Sequence, residues 1–240
     1  MTISERWFSP RLGCDITLTR WGEIGVPVLL FPTAGGDAGE AERMGLIGSL
    51  DLLMADGRIK VYSVDSVAGR SWLERDDTLH SAWLQSQFDA AIRWEVVPAI
   101  RADCRSETIE IVTAGASFGA FNAVEVLCRH PDVFRAAVGM SGTYDLSPWL
   151  GGASSDDFYF SSPLHYLPHL GDGPQLDRLR SRSVILATGT GDHECPGESW
   201  WMAEVLGTKG VPNRVDFWEG WPHDWPTWHH MLPGYLHEVV

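Results

Sequence analysis

The chain repeatedly alternates short apolar runs with helix-length segments, and this rhythm limits its architecture severely. "VPVLLFPT" (Val26 to Thr33) is continuously apolar, the pattern of a strand buried on both faces, whereas "DITLTRWG" (Asp15 to Gly22) alternates like a strand with one face in water. After the turn-like "AGGDAGE", apolar residues at helical spacing over Ala41 to Ala55 stop at "DG", and "IKVYSVDS" (Ile59 to Ser66) is again a strand. A long helix over Leu79 to Ala102, interrupted near Pro98, leads to the strand "TIEIVTAG" and a helix over Phe118 to Arg129. The strands "RAAVGMSG", "SVILATG" and "RVDFWEG" follow, with a helix over Ser199 to Gly207 and a last one from about Asp224 to Val239. Strands separated by helices build a mostly parallel sheet covered on both faces, so the expected class is α/β. From Thr143 to Leu170 the period is lost, which reads as an irregular insertion over the sheet edge. With 240 residues, no internal repeat and no linker-like tract, a single domain over 1–240 is expected.

Composition excludes several classes. A formal net charge of -14 with no basic stripe lacks the electrostatic attraction that nucleic-acid binding needs. No apolar run approaches the roughly 20 residues of a membrane helix, and the N-terminus lacks the basic start and apolar stretch of a signal peptide, so a cytoplasmic protein is expected. The cysteines Cys14, Cys104, Cys128 and Cys195 have no CxxC spacing and read as free thiols.

The stretch "IEIVTAGASFGAFNAVEVLCRH" places Ser117 between Gly115 and Gly119, where a predicted strand becomes a predicted helix. In open parallel sheets, ligands bind outside the carboxyl ends of the strands. A G-x-S-x-G at that seam is a nucleophile elbow: the turn is strained, the serine stands at its tip, and the glycines leave room for close approach. The five letters alone also fit an ordinary turn, and it is the strand before and the helix after that give them meaning. The N-terminus of the helix at Phe118 would aim free N–H groups at an oxyanion formed beside the serine. A serine nucleophile needs a base oriented by an acid, which in this arrangement follow in the order acid, then histidine. His223, in "EGWPHDWPTWHH" after the last predicted strand, has the right address for the base. The loop "GTGDHECPGES" after the preceding strand offers Asp192 and Glu194, which spacing alone does not separate.

The elbow followed by "HPDVFRAAVGMSGTYDL", together with "GWPHDWPTWHHMLPGYL", resembles the esterase branch of the α/β-hydrolase superfamily, whose relatives include antigen-85-type acyltransferases and S-formylglutathione hydrolases. The resemblance runs from "LLFPTAGGD" to the last helix, and its most specific piece is His223-Asp224-Trp225 followed by Trp228. It implies an α/β-hydrolase fold with His223 as base and, from an acidic residue at the position of Glu194, that residue as the acid, although an aromatic is usual where this chain has His193. By the same likeness "FPTAGGD" (Phe31 to Asp37) is the oxyanion-hole loop, with an N–H of Ala34 or Gly35 joining that of Phe118.

The expected activity is hydrolysis of small carboxylic esters through an acyl-enzyme on Ser117, with no cofactor and no metal. Three rivals stand beside it. Acyl transfer to an alcohol would use the same triad. A metal hydrolase would recruit His193, Glu194, Cys195, His223 and His230. A non-catalytic binding protein would use the fold alone. Trp149, Phe158, Tyr159 and Phe160 in the insertion fit either a substrate wall or a contact between copies in a homo-oligomer.

Overall fold

The computed structural model describes residues 2–75 and 77–240. Its strands are β1 (Thr2–Ser9), β2 (Cys14–Trp21), β3 (Val26–Phe31), β4 (Ile59–Val64), β5 (Ile111–Ala116), β6 (Phe134–Met140), β7 (Ser183–Gly189) and β8 (Asn213–Trp218). They form one eight-stranded sheet in the order β1-β2-β4-β3-β5-β6-β7-β8. β2 runs antiparallel to both of its neighbours, and β3 through β8 pair in parallel, as the alternation of strand and helix requires. The continuous apolar runs occupy the middle: β4 and β5 are buried at every residue, and β3 at all but its first.

Successive side chains of a strand face opposite ways, and β3 shows the division. Leu29 and Phe31 enter the core on one side with Phe88, Ile100, Val124 and Leu127, while Val28 and Leu30 enter the other with Ile47, Leu50, Met231 and Leu232. Between strands lie α1 (Glu40–Arg43), α2 (Leu46–Ser49), α3 (Asp51–Ala55), α4 (Val67–Glu74), α5 (Thr78–Ala91), α6 (Val97–Asp103) and α7 (Phe118–Arg129). The later helices are α8 (Asp156–Ser161), α9 (Pro163–Tyr166), α10 (Pro174–Leu179), α11 (Pro196–Thr208) and α12 (Trp225–Val239). No helix among the described residues is long and apolar enough to cross a membrane.

The structure corrects several sequence expectations. The helix expected over Ala41 to Ala55 is three short ones, broken first at Gly45, whose φ of 81° leaves the right-handed helical region. The long helix expected over Leu79 to Ala102 is found as α5 and α6, and its interruption is a π-helical turn at Ile92–Val96 just before Pro98, which sits in the first turn of α6. β1, α4 and α10 have no counterpart in the sequence reading. The insertion contains α8 and α9 and packs its Leu150 and Phe158 with Trp72 of α4, Ala82 of α5 and Phe118 and Phe121 of α7.

One buried acid stands out beneath this layer. Glu125 of α7 has no solvent exposure, and neither of its carboxyl oxygens has a hydrogen-bond partner. Burial, and then the neighbouring Asp89 carboxylate, push its carboxyl well above the ordinary range. Asp89 itself is bound by His130 at 2.8 Å and faces Arg129 at 3.6 Å. Because the folded chain holds the Glu125 proton to higher pH than the unfolded chain, stability is complete below the ordinary carboxylate range and falls as pH rises toward the folded value. Glu125→Gln is therefore expected to raise the thermal midpoint at pH 7 by about 2–4 °C for each kcal/mol recovered. Thermal denaturation from pH 5 to 8 checks this: the gap over wild type should widen with pH.

Candidate active site

β5 ends at Ala116 and α7 begins at Phe118, leaving Ser117 alone in the turn with φ 56° and ψ -121°. Such a conformation costs a non-glycine residue about 1–3 kcal/mol and persists only where its surroundings enforce it. Here the Ser117 N–H donates to the Met140 carbonyl at 2.9 Å, and the Ser117 carbonyl accepts from the Ala120 and Thr143 amides at 3.1 and 3.3 Å. The flanking glycines are required sterically. A β-carbon on Gly115 would overlap the Gly119 carbonyl, and one on Gly119 would overlap the Phe31 carbonyl and lie 2.6 Å from that of Pro32. Phe118 is the first residue of a helix, so its amide has no acceptor within the helix.

The end of β3 supplies the facing loop. Gly36 N–H closes a turn onto Thr33 O at 3.0 Å, and the Glu40 carboxylate accepts from the Thr33 amide and hydroxyl, both at 2.8 Å. Asp65 holds the far side through the Ala38 amide at 2.9 Å, and Gly36 O accepts from Ser66 N at 3.1 Å. The central residues of the turn, Ala34 and Gly35, donate to none of these acceptors. Ala34 packs with the cluster that contains Phe118 and Trp72, while Gly35 is exposed toward Leu73.

The loops after β7 and β8 meet backbone to backbone. A β-carbon at Gly189 would overlap the Trp221 carbonyl, and one at Gly191 would lie 2.6 Å from that of Gly220. Gly191 N donates to Trp221 O at 2.9 Å, and His223 N to Asp192 O at 3.0 Å. This approach places Glu194, whose side chain is 1% exposed, with its Oε2 3.8 Å from His223 Nδ1. Glu194 Oε1 accepts from Ser141 Oγ at 2.5 Å and Oε2 from Thr188 Oγ1 at 3.1 Å. Burial opposes ionisation of Glu194, but the polar contacts from His223, Ser141 and Thr188 outweigh it and hold the carboxyl below its ordinary value.

The structure thus groups Glu194 with His223 and leaves Asp192 exposed, touching His223 only through its main chain. Three other histidines have separate partners: His229 meets the Met44 carbonyl at 2.8 Å, His230 the Trp221 ring at 5.0 Å, and His165 the Ser162 hydroxyl at 2.8 Å. Among the described residues no three His, Cys, Asp or Glu side chains gather as metal ligands, so His193, Glu194, Cys195, His223 and His230 do not converge. In the insertion, Trp149 lies nearly parallel to Phe118, at 11° and 6.3 Å, whereas Phe158 is buried against Trp72 and Phe160 is exposed. Sequence reasoning passed over Ser141 and left Trp228 without a role, although Trp228 Nε1 donates to Ser141 Oγ at 3.0 Å. The signal for Ser141 was its position: a hydroxyl before glycine at the carboxyl end of the strand beside β5.

A family model described as Putative esterase matches residues 73–239. No curated protein matches the sequence. Among solved structures, a ferulic acid esterase is 18% identical with a TM-score of 0.76, the match covering 100% of this chain and 99% of that one. An S-formylglutathione hydrolase from Agrobacterium tumefaciens is 13% identical over 99% of this chain and 94% of its own, with a TM-score of 0.74. Mycobacterium tuberculosis MPT51 is 18% identical over 99% and 97%, with a TM-score of 0.72. These neighbours share the α/β-hydrolase fold with the sheet described above. The chain belongs to the Putative esterase family and is an ester hydrolase.

Proposed function

We propose that Ser117, His223 and Glu194 act as nucleophile, base and acid in the hydrolysis of a small carboxylic ester. The observation that carries this reading is the buried Glu194 carboxylate 3.8 Å from His223 Nδ1, on the strand edge that presents Ser117 in its strained turn. With Nδ1 turned to the carboxylate, Nε2 is the ring nitrogen left for the serine. Ser117 Oγ attacks the acyl carbon while His223 Nε2 takes its proton, and the proton then passes to the leaving alcohol oxygen as the C–O bond breaks. Water, deprotonated by the same nitrogen, attacks the acyl carbon, and as the C–Oγ bond breaks the proton passes from His223 Nε2 back to Ser117 Oγ, releasing the acid. Glu194 stays ionised throughout, holds the tautomer with the proton on Nδ1, and stabilises the imidazolium formed in each transition state.

The Phe118 amide and that of Ala34 or Gly35 are the oxyanion donors, each worth on the order of 3 kcal/mol of transition-state stabilisation. Ala34 is favoured within that pair because it packs into the cluster containing Phe118. The face of Trp149, stacked over Phe118, supplies an apolar wall for the carbon skeleton of the substrate.

Hydrolysis of p-nitrophenyl esters from acetate to octanoate tests this assignment. Ser117→Ala is expected to lose about six orders of magnitude in kcat and Glu194→Gln three to four. Asp192→Asn should stay within about threefold of wild type, since the carbonyl that holds His223 remains. A fluorophosphonate should label wild type stoichiometrically at Ser117. Wild-type turnover in Ser117→Ala would sink the reading. The lowered Glu194 carboxyl also sets a stability profile: its contribution is complete above the ordinary carboxylate range and is lost as pH falls through the folded value. The stability difference between wild type and Glu194→Gln should accordingly be flat from pH 5 to 8 and shrink on further acidification, as measured by chemical denaturation.

A further inference from the structure

We infer that Ser141 and Trp228 are positioning residues for the Glu194 carboxylate, an assignment that rests on the reading of Glu194 as the triad acid. Ser141 follows directly on β6 in a left-handed conformation, φ 48°, with its N–H bound to Ala187 O at 2.7 Å. It is one of five described non-glycine residues with positive φ, and Ser117 and His193 of the same strand edge are two others. Strain of this kind gathers where geometry serves chemistry.

The hydroxyl of Ser141 has one proton to donate, and its direction is set by its other neighbour. An indole N–H only donates, so Trp228 Nε1 at 3.0 Å must occupy a lone pair of the Ser141 oxygen. The remaining proton is thereby sent to Glu194 Oε1 at 2.5 Å, a charge-assisted bond to a carboxylate. That bond holds Oε1 away from the base and leaves Oε2 facing His223 Nδ1. Trp228 is 3% exposed and fixed in the first turn of α12, whose N-cap Asp224 accepts from both the amide and the hydroxyl of Thr227. The edge-to-face contact of its ring with His223, at 5.2 Å and 82°, means that one indole borders the imidazole and orients the partner of the acid.

A side chain that matters only for folding would lower stability without regard to the charge on Glu194, so the decisive measurement is a kinetic cycle. The set comprises wild type, Ser141→Ala, Glu194→Gln, the double variant and Trp228→Phe, which keeps an aromatic ring but loses the N–H. Ser141→Ala is expected to lower kcat about 10- to 100-fold with KM within about threefold, and to move the acid limb of the pH profile of kcat/KM upward. In the Glu194→Gln background the same substitution should change kcat by less than about threefold, because the carboxylate it serves is gone. Trp228→Phe should reproduce the kcat loss and the pH shift at smaller size.

Equal losses from Ser141→Ala in both backgrounds would overturn the inference, and so would wild-type kcat and pH profile in both Ser141→Ala and Trp228→Phe beside an inactive Glu194→Gln. Wild-type turnover in Glu194→Gln would instead overturn the triad reading and this inference together.

Discussion

At Gly119 the elbow helix lies so close to the end of β3 that a β-carbon would overlap the Phe31 carbonyl oxygen. That contact is both architectural and chemical. It lets α7 start directly behind β5 and cross onto the β3 side of the sheet, where Ala120, Ala123 and Val124 join Phe31 in the core. It also brings the loop after β3, with Ala34 and Gly35, to the side of the helix where the Phe118 amide is free. A side chain at this point would separate the loop from the helix terminus. The same device recurs at Gly189 and Gly191, where the loops after β7 and β8 touch along their backbones and Glu194 is carried under His223. Backbone approach, allowed only by glycine, thus sets the distances on which the site depends.

Two glutamates show how environment assigns chemistry to one residue type. Glu194 and Glu125 are both buried, and burial penalises the charge of each. Glu194 receives hydroxyl protons from Ser141 and Thr188 and faces an imidazole, so its carboxyl is held low and it remains an anion beside His223. Glu125 has no donor and an anionic neighbour in Asp89, so its carboxyl is pushed well above the ordinary range. The first arrangement favours a positive charge on His223. The second burdens stability at neutral pH, in a helix whose other end begins at the strained turn of Ser117.

Much of the sheet is legible in local patterns because a strand covered on both faces must be apolar throughout. Val26 to Thr33, Ile59 to Ser66 and Ser183 to Gly189 each lie within a residue or two of the observed strands. β1 escaped notice because it is an edge strand, largely exposed, with Ser4, Glu5 and Arg6 in succession. α4 is only eight residues long, two turns in which an amphipathic pattern is too brief to be told from the irregular sequence around it. The passage of the chain through Pro98 depends on a π turn, which leaves no mark in hydrophobic periodicity.

The strand-turn-helix at Ser117 and the terminal position of His223 follow from local sequence, since each is defined by a neighbouring strand and by turn chemistry within a few residues. The pairing of Glu194 rather than Asp192 with His223 does not: the two carboxylates are two residues apart in one loop, and their fates are set by the way that loop packs on residues 218–223. Ser141 reaches Glu194 across 53 positions and Trp228 reaches Ser141 across 87. Hydrogen bonds of that span arise only when neighbouring strand ends and a distant helix are brought to one edge of the sheet. Local sequence chemistry names the candidates, and long-range packing selects which of them touch.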